Sequence, residues 1–519
     1  MKEFLKRLGR RATGRKGIGN TVTVAIIIAV VMLNILAYTV TNAFGLYFYS
    51  PDVDDLSISG STDELFADAI LLGKKVTITF CYAEDKLEKH DTGSFVLTTA
   101  REFQKRYPEL IELRFVSLLT KMDENGKIVD FQKYVDFINK GNESETNRQS
   151  LKQNSVIFES GEGEEWSCRV ITDNASSAGF VDFYTLDSSA NIVSYNGEEV
   201  IAAMISWVLH DEHPVVYFTQ NHGETADVAF TNLLTCAGYY VEVINLRKNE
   251  IPADAGMIIV SNPTSDFGLS VENADVRGEI NKLEDYLKGG GKLYVALDPY
   301  VKELKNLEGL LKKWGIGFSG KYNDDGVLVR DIVRESSNAI TTDGYTFIAT
   351  HADNEISAKV REKVEAYGSD RVLMSEVASL NLDSSLGAQP LLVSGSTSST
   401  YAGGELTDGN GGYAVAAYSR RAESDGKSST VFVIPTAYVT ATDAFLSENY
   451  SNKDFLYSVL EVLFDSNVAP RGCNTVTYRT SILENLTMGR AKAYTALTLA
   501  VPVALAVLGA VTIIRRKNR

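Results

Sequence analysis

The sequence is poor in the residues that metal, redox and nucleic-acid chemistry rely on. It has 5 histidines and 4 cysteines in 519 residues. No two cysteines form a C-x-x-C pair, which argues against a redox enzyme or a zinc site. Cys81, Cys168, Cys236 and Cys473 lie far apart, and three pairings are open if all are oxidised. A chain of this length does not need disulfides to hold a core. Cys81 falls in a strand pattern and Cys236 on the apolar side of a helix, where free buried thiols are expected. Positive charge is also short: 51 basic against 67 acidic residues, a formal charge of −16. That excludes a general nucleic-acid binder, which needs a basic face to displace counterions from phosphates.

Phosphate and metal motifs fail on inspection. Gly289, Gly290, Gly291 and Lys292 lie between a helix and a strand, whereas a P-loop joins a strand to a helix. Gly426, Lys427 and Ser428 have Arg421 where the first P-loop glycine belongs, and a strand follows. Asp324, Asp325 and Gly326 look like an EF-hand fragment, but that loop would begin at Lys321 and end at Ile332, where carboxylates are required. They read instead as a hairpin turn. His210, Asp211, Glu212 and His213 read as a linker, since Pro214 and a strand follow at once. No metal and no cofactor is expected.

What the sequence does have is apolar runs at both ends. No charged residue occurs from Gly17 to Ser50, and the heart of that run is TVTVAIIIAVVMLNILAYTV, residues 21–40. A second uncharged run, AYTALTLAVPVALAVLGAVTII, covers residues 493–514. About 20 apolar residues cross a bilayer as a helix. Lys2, Lys6, Arg7, Arg10, Arg11, Arg15 and Lys16 precede the first run, and Arg515, Arg516, Lys517 and Arg519 follow the second. Short basic flanks stay in the cytoplasm. A cleavable signal peptide is the rival reading of the first run, with 41–43 as a passable cleavage site, but the run is longer than the usual apolar region of such a signal. The expectation is therefore a two-pass protein of the cell membrane, both termini cytoplasmic and the acidic body extracytoplasmic.

The expected organisation is a basic N-terminus (1–20), a transmembrane helix (21–48), a first α/β domain (51–212), a second α/β domain (213–469), a stalk (470–492), a transmembrane helix (493–514) and a basic tail (515–519). In the first domain KVTITFCY, residues 75–82, alternates as a half-buried strand should. A helix, the strand IELRFVSL and two further short strands follow. GEEVIAAMISWVL, residues 197–209, closes the unit with an apolar stripe of Val200, Ile201, Met204, Ile205 and Val208. This element order fits a small thioredoxin-like unit. In the second domain PVVYFT, YYVEVINL, GMIIVS and KLYVAL alternate with amphipathic helices, which predicts a parallel sheet covered on both faces. The Ser/Gly/Thr-rich region 394–412 reads as a long surface loop. YAVAAYS and TVFVIP read as strands, and KDFLYSVLEVLF as a helix returning to the sheet.

Ligands in open parallel sheets bind beyond the carboxyl ends of the strands. The polar residues there are Asn221, His222 and Glu224 after the first strand, Ser261 and Asn262 after the third, and Asp298 after the fourth. These are the candidate ligand- or partner-binding residues. His222 and Glu224 suit acid–base work or a metal, but the favoured reading is that they cap the next helix and hydrogen-bond the adjacent loops. Ser261 stands where a nucleophile would, yet Asn262 and Pro263 follow it and no G-x-S-x-G elbow exists. A surface hydrolase or amidotransferase-like enzyme using His222, Glu224 and Ser261 is the alternative, and a glycan- or peptide-binding module working alone is a third reading.

The ordered segments NGEEVIAAMISWVLHDEHPVVYFTQNHGE (196–224), IPADAGMIIVSNPTSDF (251–267), LEDYLKGGGKLYVALDPY (283–300) and LLKKWGIGF (310–318) together resemble the gliding-motility-associated ABC transporter auxiliary family, GldG-like. The proline-containing final run and basic tail fit the same pattern. The resemblance implies a non-enzymatic accessory subunit of an ABC-type transport system, with a glutamine-amidotransferase-like second domain lacking a working nucleophile. Its implied partners are ABC permease and ABC ATPase subunits, the lipid bilayer and a surface ligand, with no nucleic acid. No permease helices are fused to this chain, so the permease would be a separate protein.

Overall fold

The computed structural model describes residues 56–477 except 124–125, 140–148, 173–179, 187–190, 211–212, 226, 270–276, 423–426, 442–443, 446, 448 and 467–468. Alternating apolar residues build the first sheet. After helix α1 (Thr62–Leu71) come β1 (Val76–Phe80), α2 (Gly93–Arg106), β2 (Ile111–Ser117), β3 (Met122–Asp123), α3 (Gln132–Ile138), β4 (Val156–Ser160) and β5 (Ser167–Ile171). The sheet order is β3-β2-β1-β4-β5, with β1 parallel to β2 and antiparallel to β4. Two short strands, β6 (Tyr184–Leu186) and β7 (Ile192–Tyr195), lead into α4 (Gly197–Leu209).

Helix α4 is buried on nearly every side, from Ile201 to Leu209. A helix apolar all round belongs inside a protein, and α4 lies where the first part meets the second. Its Glu199 accepts a hydrogen bond from the Tyr457 hydroxyl at 3.0 Å and pairs with the Lys453 ammonium.

The second part begins with β8 (Val215–Thr219), α5 (Val228–Cys236), β9 (Tyr240–Ile244), β10 (Ala255–Ser261), α6 (Glu279–Lys288), β11 (Lys292–Ala296) and α7 (Lys305–Lys313). Next come β12 (Ile316–Phe318), the hairpin β13 (Gly320–Tyr322) and β14 (Leu328–Arg330), then β15 (Ile332–Arg334), β16 (Thr346–His351), α8 (Glu355–Glu365), β17 (Val372–Ser375) and β18 (Leu380–Leu382). The described residues close with β19 (Ala388–Val393), β20 (Ser399–Ala402), β21 (Glu405–Asp408), β22 (Ala414–Ala422), β23 (Ser428–Ile434), α9 (Asn452–Phe464) and β24 (Val476–Thr477).

The main sheet runs β17-β16-β19-β22-β23-β11-β10-β8-β9. From β9 to β23 every pairing is parallel, and from β23 to β17 every pairing is antiparallel. The four strands from which the sequence pattern predicts a parallel sheet, β8 to β11, are parallel, and the whole sheet is mixed because the strands beyond β23 are antiparallel. Successive side chains of a strand face opposite ways. Met257, Ile259, Phe432 and Ile434 therefore join one core with α5, α8 and α9, while Ile258, Val260, Val431 and Val433 join another with α6 and α7. Residues 394–412 are no simple loop. β20 and β21 turn through Gly403 and Gly404, both at positive φ, and form a three-stranded sheet with β15. Adjacent glycines are a strong hairpin signal.

The membrane expectation requires correction. Among the described residues no helix is long and apolar enough to cross a membrane. The helix α2 has 14 residues, a length of about 21 Å at 1.5 Å per residue against a hydrocarbon core of about 30 Å, and it is amphipathic. The two-pass topology with flanking transmembrane helices, cytoplasmic ends and extracytoplasmic body is therefore not supported, and the runs at 21–48 and 493–514 lie outside the described residues. Residues 470–477, the start of the expected stalk, lie on the body: Arg471 is buried and β24 pairs with β7.

Glu198 fastens the two ends of the described body together. Its Oε1 accepts from the Ser59 amide at 2.7 Å and the Ser59 hydroxyl at 2.6 Å, and its Oε2 accepts from the Asn474 amide at 2.7 Å. Hydrogen bonds to a charged group each contribute about 1.5–3 kcal/mol. Because burial of the carboxylate, which raises its pKa, opposes these three bonds, Glu198→Ala is expected to lower unfolding free energy by a net of about 2 kcal/mol and to speed protease cutting near residues 57 and 474. Unchanged denaturant midpoint and unchanged cleavage would show that this carboxylate fastens nothing.

Candidate functional site

The strand order fixes where a site belongs. β8 lies between β9 and β10, so the chain leaves β8 toward one side and later returns across it to the other. The loops after β8 and β10 therefore diverge, the switch point at which open sheets bind ligands. Asn221, His222 and Glu224 occupy the first loop, and Ser261 and Asn262 end the other strand. Asp298 follows β11, the next strand over.

The two loops are laced together by their backbones. The amides of Thr264 and Ser265 donate to the His222 carbonyl at 2.8 and 2.9 Å, and the Thr225 amide donates to the Ser261 carbonyl at 3.0 Å. Asn221 and Asn262 adopt left-handed backbone conformations, with φ of +84° and +51°. Asparagine tolerates this region better than most residues. Gly223 at φ +78° is required as well, because a Cβ there would lie 2.1 Å from the Thr264 hydroxyl.

His222 is sealed below these loops, its side chain wholly buried. Its ring stacks on Phe267 with centroids 3.9 Å apart. Nδ1 lies 3.0 Å from Glu224 Oε1, and Nε2 lies 3.1 Å from Glu279 Oε2. Glu224 also accepts from the His222 amide at 2.6 Å, and Glu279 from the Gly268 amide at 2.7 Å. Arg247 stands 3.7 Å from the other Glu279 oxygen. Burial opposes charge on the imidazole, but the two carboxylates outweigh it and hold His222 above its ordinary range. Burial likewise opposes charge on Glu224, yet the hydrogen bonds from His222 hold its carboxyl below the ordinary range. The imidazolium donates from both nitrogens.

This geometry limits the chemistry. With both nitrogens committed to carboxylates, His222 has no lone pair for Ser261, which is buried at the end of β10. The nitrogens point in opposite directions, so Glu224 and Glu279 do not converge on a common ligand position. Among the described residues no group of three such side chains could hold a metal ion. Asn262 Oδ1 is buried without a hydrogen-bond partner, whereas Asn221 is exposed. The Asp298 carboxylate accepts from the Tyr300 amide at 2.9 Å and so closes its own turn. All four cysteines are free, and burial pushes the Cys81, Cys168 and Cys236 thiols up to about 12.

Sequence reading missed Glu279, Phe267 and Arg247 around His222. Glu279 opens an amphipathic helix and carries no motif of its own. The one available signal was its place in the first turn, where a carboxylate suits the helix dipole. It also missed Glu376, a left-handed residue at φ +46° whose carboxylate meets the Tyr438 hydroxyl.

No family model matches this chain, and no curated protein matches it. Among solved structures it is similar to the mmIFT52 N-terminal domain, at 15% identity and TM-score 0.34 over 48% of this chain and 97% of that one. PurLQS from Thermotoga maritima is similar at 10% identity and TM-score 0.25, over 48% and 99% of the two chains. The cytoplasmic protein STM3548 from Salmonella typhimurium is similar at 11% identity and TM-score 0.26, over 48% and 98%. Likenesses this low carry no argument about fold or function, and nothing in them bears on the GldG-like resemblance.

Two measurements test the buried cluster. His222→Ala leaves two carboxylates in the interior without their cation and is expected to cost about 3–5 kcal/mol in denaturant unfolding. The pH dependence has a definite sign. Because the folded His222 value is raised, its contribution is full below about pH 6.5 and is lost as pH rises through the folded value. The depressed Glu224 contribution is present above about pH 4.3 and is lost as pH falls through its folded value. Wild-type unfolding free energy is thus expected to fall relative to His222→Gln as pH rises above about 6.5, and parallel profiles would contradict the charged imidazole.

Proposed function

We propose that this chain is a non-catalytic binding subunit, accessory to an ABC-type transport system in which a separate permease forms the path and a separate ATPase supplies the energy. The observation that carries the non-catalytic part is the commitment of His222 to two buried carboxylates at the switch point, where an enzyme of this sheet type would need a free base. The hydrolase or amidotransferase alternative is weakened by the same bonds, since Ser261 has no histidine to activate it.

The glycine-rich stretch supports a passive role with respect to nucleotide. Gly289 receives the last turn of α6, its amide donating to the Asp285 carbonyl at 3.1 Å, and Gly290 turns at φ +88° into β11. It ends a helix rather than opening one, so its amides do not form a phosphate cradle at a helix N-terminus. The transport assignment rests on the resemblance of the ordered segments in residues 196–318.

Tagged full-length protein from its own cells is expected to co-purify with an ATPase and a polytopic permease, and the isolated chain to hydrolyse no nucleotide. Nucleotide turnover by the isolated chain, or purification free of both partners, would overturn the proposal.

A further inference from the structure

The hairpin β20–β21 and strand β15 form a small sheet beside the main one, and a cavity opens there. It encloses about 520 Å³ and is lined by Arg334, Thr341, Thr342, Asp343, Ser399 and Tyr401 among others. Ligand cavities span about 300–1,000 Å³, but most are apolar, and hydroxyl groups dominate this one. Ala339 and Ile340 are its aliphatic lining.

The walls are fixed in advance by Glu335. This carboxylate, 2% exposed, accepts from the amides of Ser336 at 2.8 Å, Ser337 at 3.1 Å and Gly395 at 2.8 Å, and from the Thr397 hydroxyl at 2.6 Å. Its acceptor capacity is spent on the protein. A Cβ on Gly395 would lie 2.4 Å from this carboxylate, and a Cβ on Gly344, at φ +80°, would lie 2.3 Å from the Glu335 carbonyl. The loop between β15 and β16 is also pinned: the Ile340 amide donates to Thr346 and the Ile348 amide to Asn338, at 2.7 and 3.1 Å.

Arg334 is the cation of this cavity. Its guanidinium lies against the Tyr345 and Tyr401 rings, with centroids at 5.9 and 5.7 Å, and Nε donates to the Asp343 carbonyl. The Asp343 carboxylate is engaged by the Thr341 hydroxyl at 2.6 Å and the Tyr345 amide at 3.1 Å. Among the described residues no carboxylate lies within ion-pair distance of Arg334, although the Asp343 carboxyl, held below its ordinary range by the Thr341 hydroxyl, also feels the guanidinium charge. The two terminal amino groups of Arg334 have no protein acceptor among these residues. A planar, pre-positioned fork of donors with nothing to bind is matched to a carboxylate. The surrounding hydroxyls suit a ligand rich in hydroxyls of its own.

We propose that this cavity binds a carboxylated sugar, its carboxylate taken by Arg334 and its hydroxyls by the threonine and serine wall. The proposal stands apart from the transport reading: failure to find an ATPase would not affect it, and failure of sugar binding would not affect the search for transport partners.

Calorimetric titration of the full-length protein with D-glucuronate, N-acetylneuraminate, glucose and glucose 6-phosphate tests it. Binding of at least one of the two carboxylated sugars is expected, with glucose at least about 10-fold weaker for want of a charge-assisted pair. Arg334→Gln and Arg334→Lys are each expected to weaken the carboxylated ligand by about 10-fold or more. Thr342→Trp keeps the arginine but fills the cavity and is expected to abolish binding. Both sites are exposed, so unfolding midpoints should match wild type, and that check separates lost binding from lost folding. No binding of either carboxylated sugar, binding indifferent to Arg334→Gln, or tighter binding of glucose 6-phosphate would each overturn the proposal.

Discussion

The placement of β23 between β11 and β22 is the constraint on which the rest of the second part depends. Lys292 to Ala296 pair in parallel with Thr430 to Ile434, while Ala417 to Ala422 pair antiparallel on the other side. β23 is therefore the seam between the two halves of the sheet. It is buried from Ser429 onward; the Ser429 hydroxyl donates to the Leu287 carbonyl, while the Thr430 hydroxyl is buried without a hydrogen-bond partner among the described residues. Contacts so remote in sequence close a long loop before they return any stability. The parallel strands that carry the switch-point loops lie on one side of the seam, and the antiparallel strands lie on the other.

Charges in this fold position loops. His222 with Glu224 and Glu279 holds the crossing between two loops. Arg330 and Glu308, both 1% exposed and 2.6 Å apart, do the same one strand further on. Arg330 also donates to the Pro299 carbonyl at 3.1 Å, and Glu308 accepts from the Leu304 amide at 2.8 Å, so the pair fixes the loop that begins at Asp298. Interior charges persist where they are paired and hydrogen-bonded. The strand ends, the usual binding place in such sheets, are closed by these devices. Arg334 and the cavity that it lines lie instead on the small sheet of β15, β20 and β21.

Local pattern made the elements legible, and long-range pairing decided what was not. KVTITFCY contains β1, GEEVIAAMISWVL is α4 and KLYVAL contains β11, because periodicity of two or of 3.6 is written into the residues themselves. The mixed character of the sheet was hidden, since nothing within TVFVIP says that its neighbours are KLYVA on one side and an antiparallel strand on the other. Residues 394–412 read as a loop because serine, threonine and glycine dilute the alternation, yet the Thr400 and Thr407 hydroxyls meet at 2.8 Å across a real hairpin. The apolar composition of the two ends invited a membrane topology, but among the described residues no helix is long and apolar enough to cross a membrane. At the site, His222 and Glu224 were visible as neighbours in the chain. Glu279 stands 57 positions away from His222 and could not be linked to it by spacing.

The fastening at Glu198 has a further consequence for how the body can be handled. The Asn474 side-chain amide donates to the Ser57 carbonyl at 2.7 Å, so entry and exit of the described chain stand side by side. A body whose ends meet in this way can be spliced into a surface turn of a host protein, or permuted by a short join between those ends, without stretching either sheet.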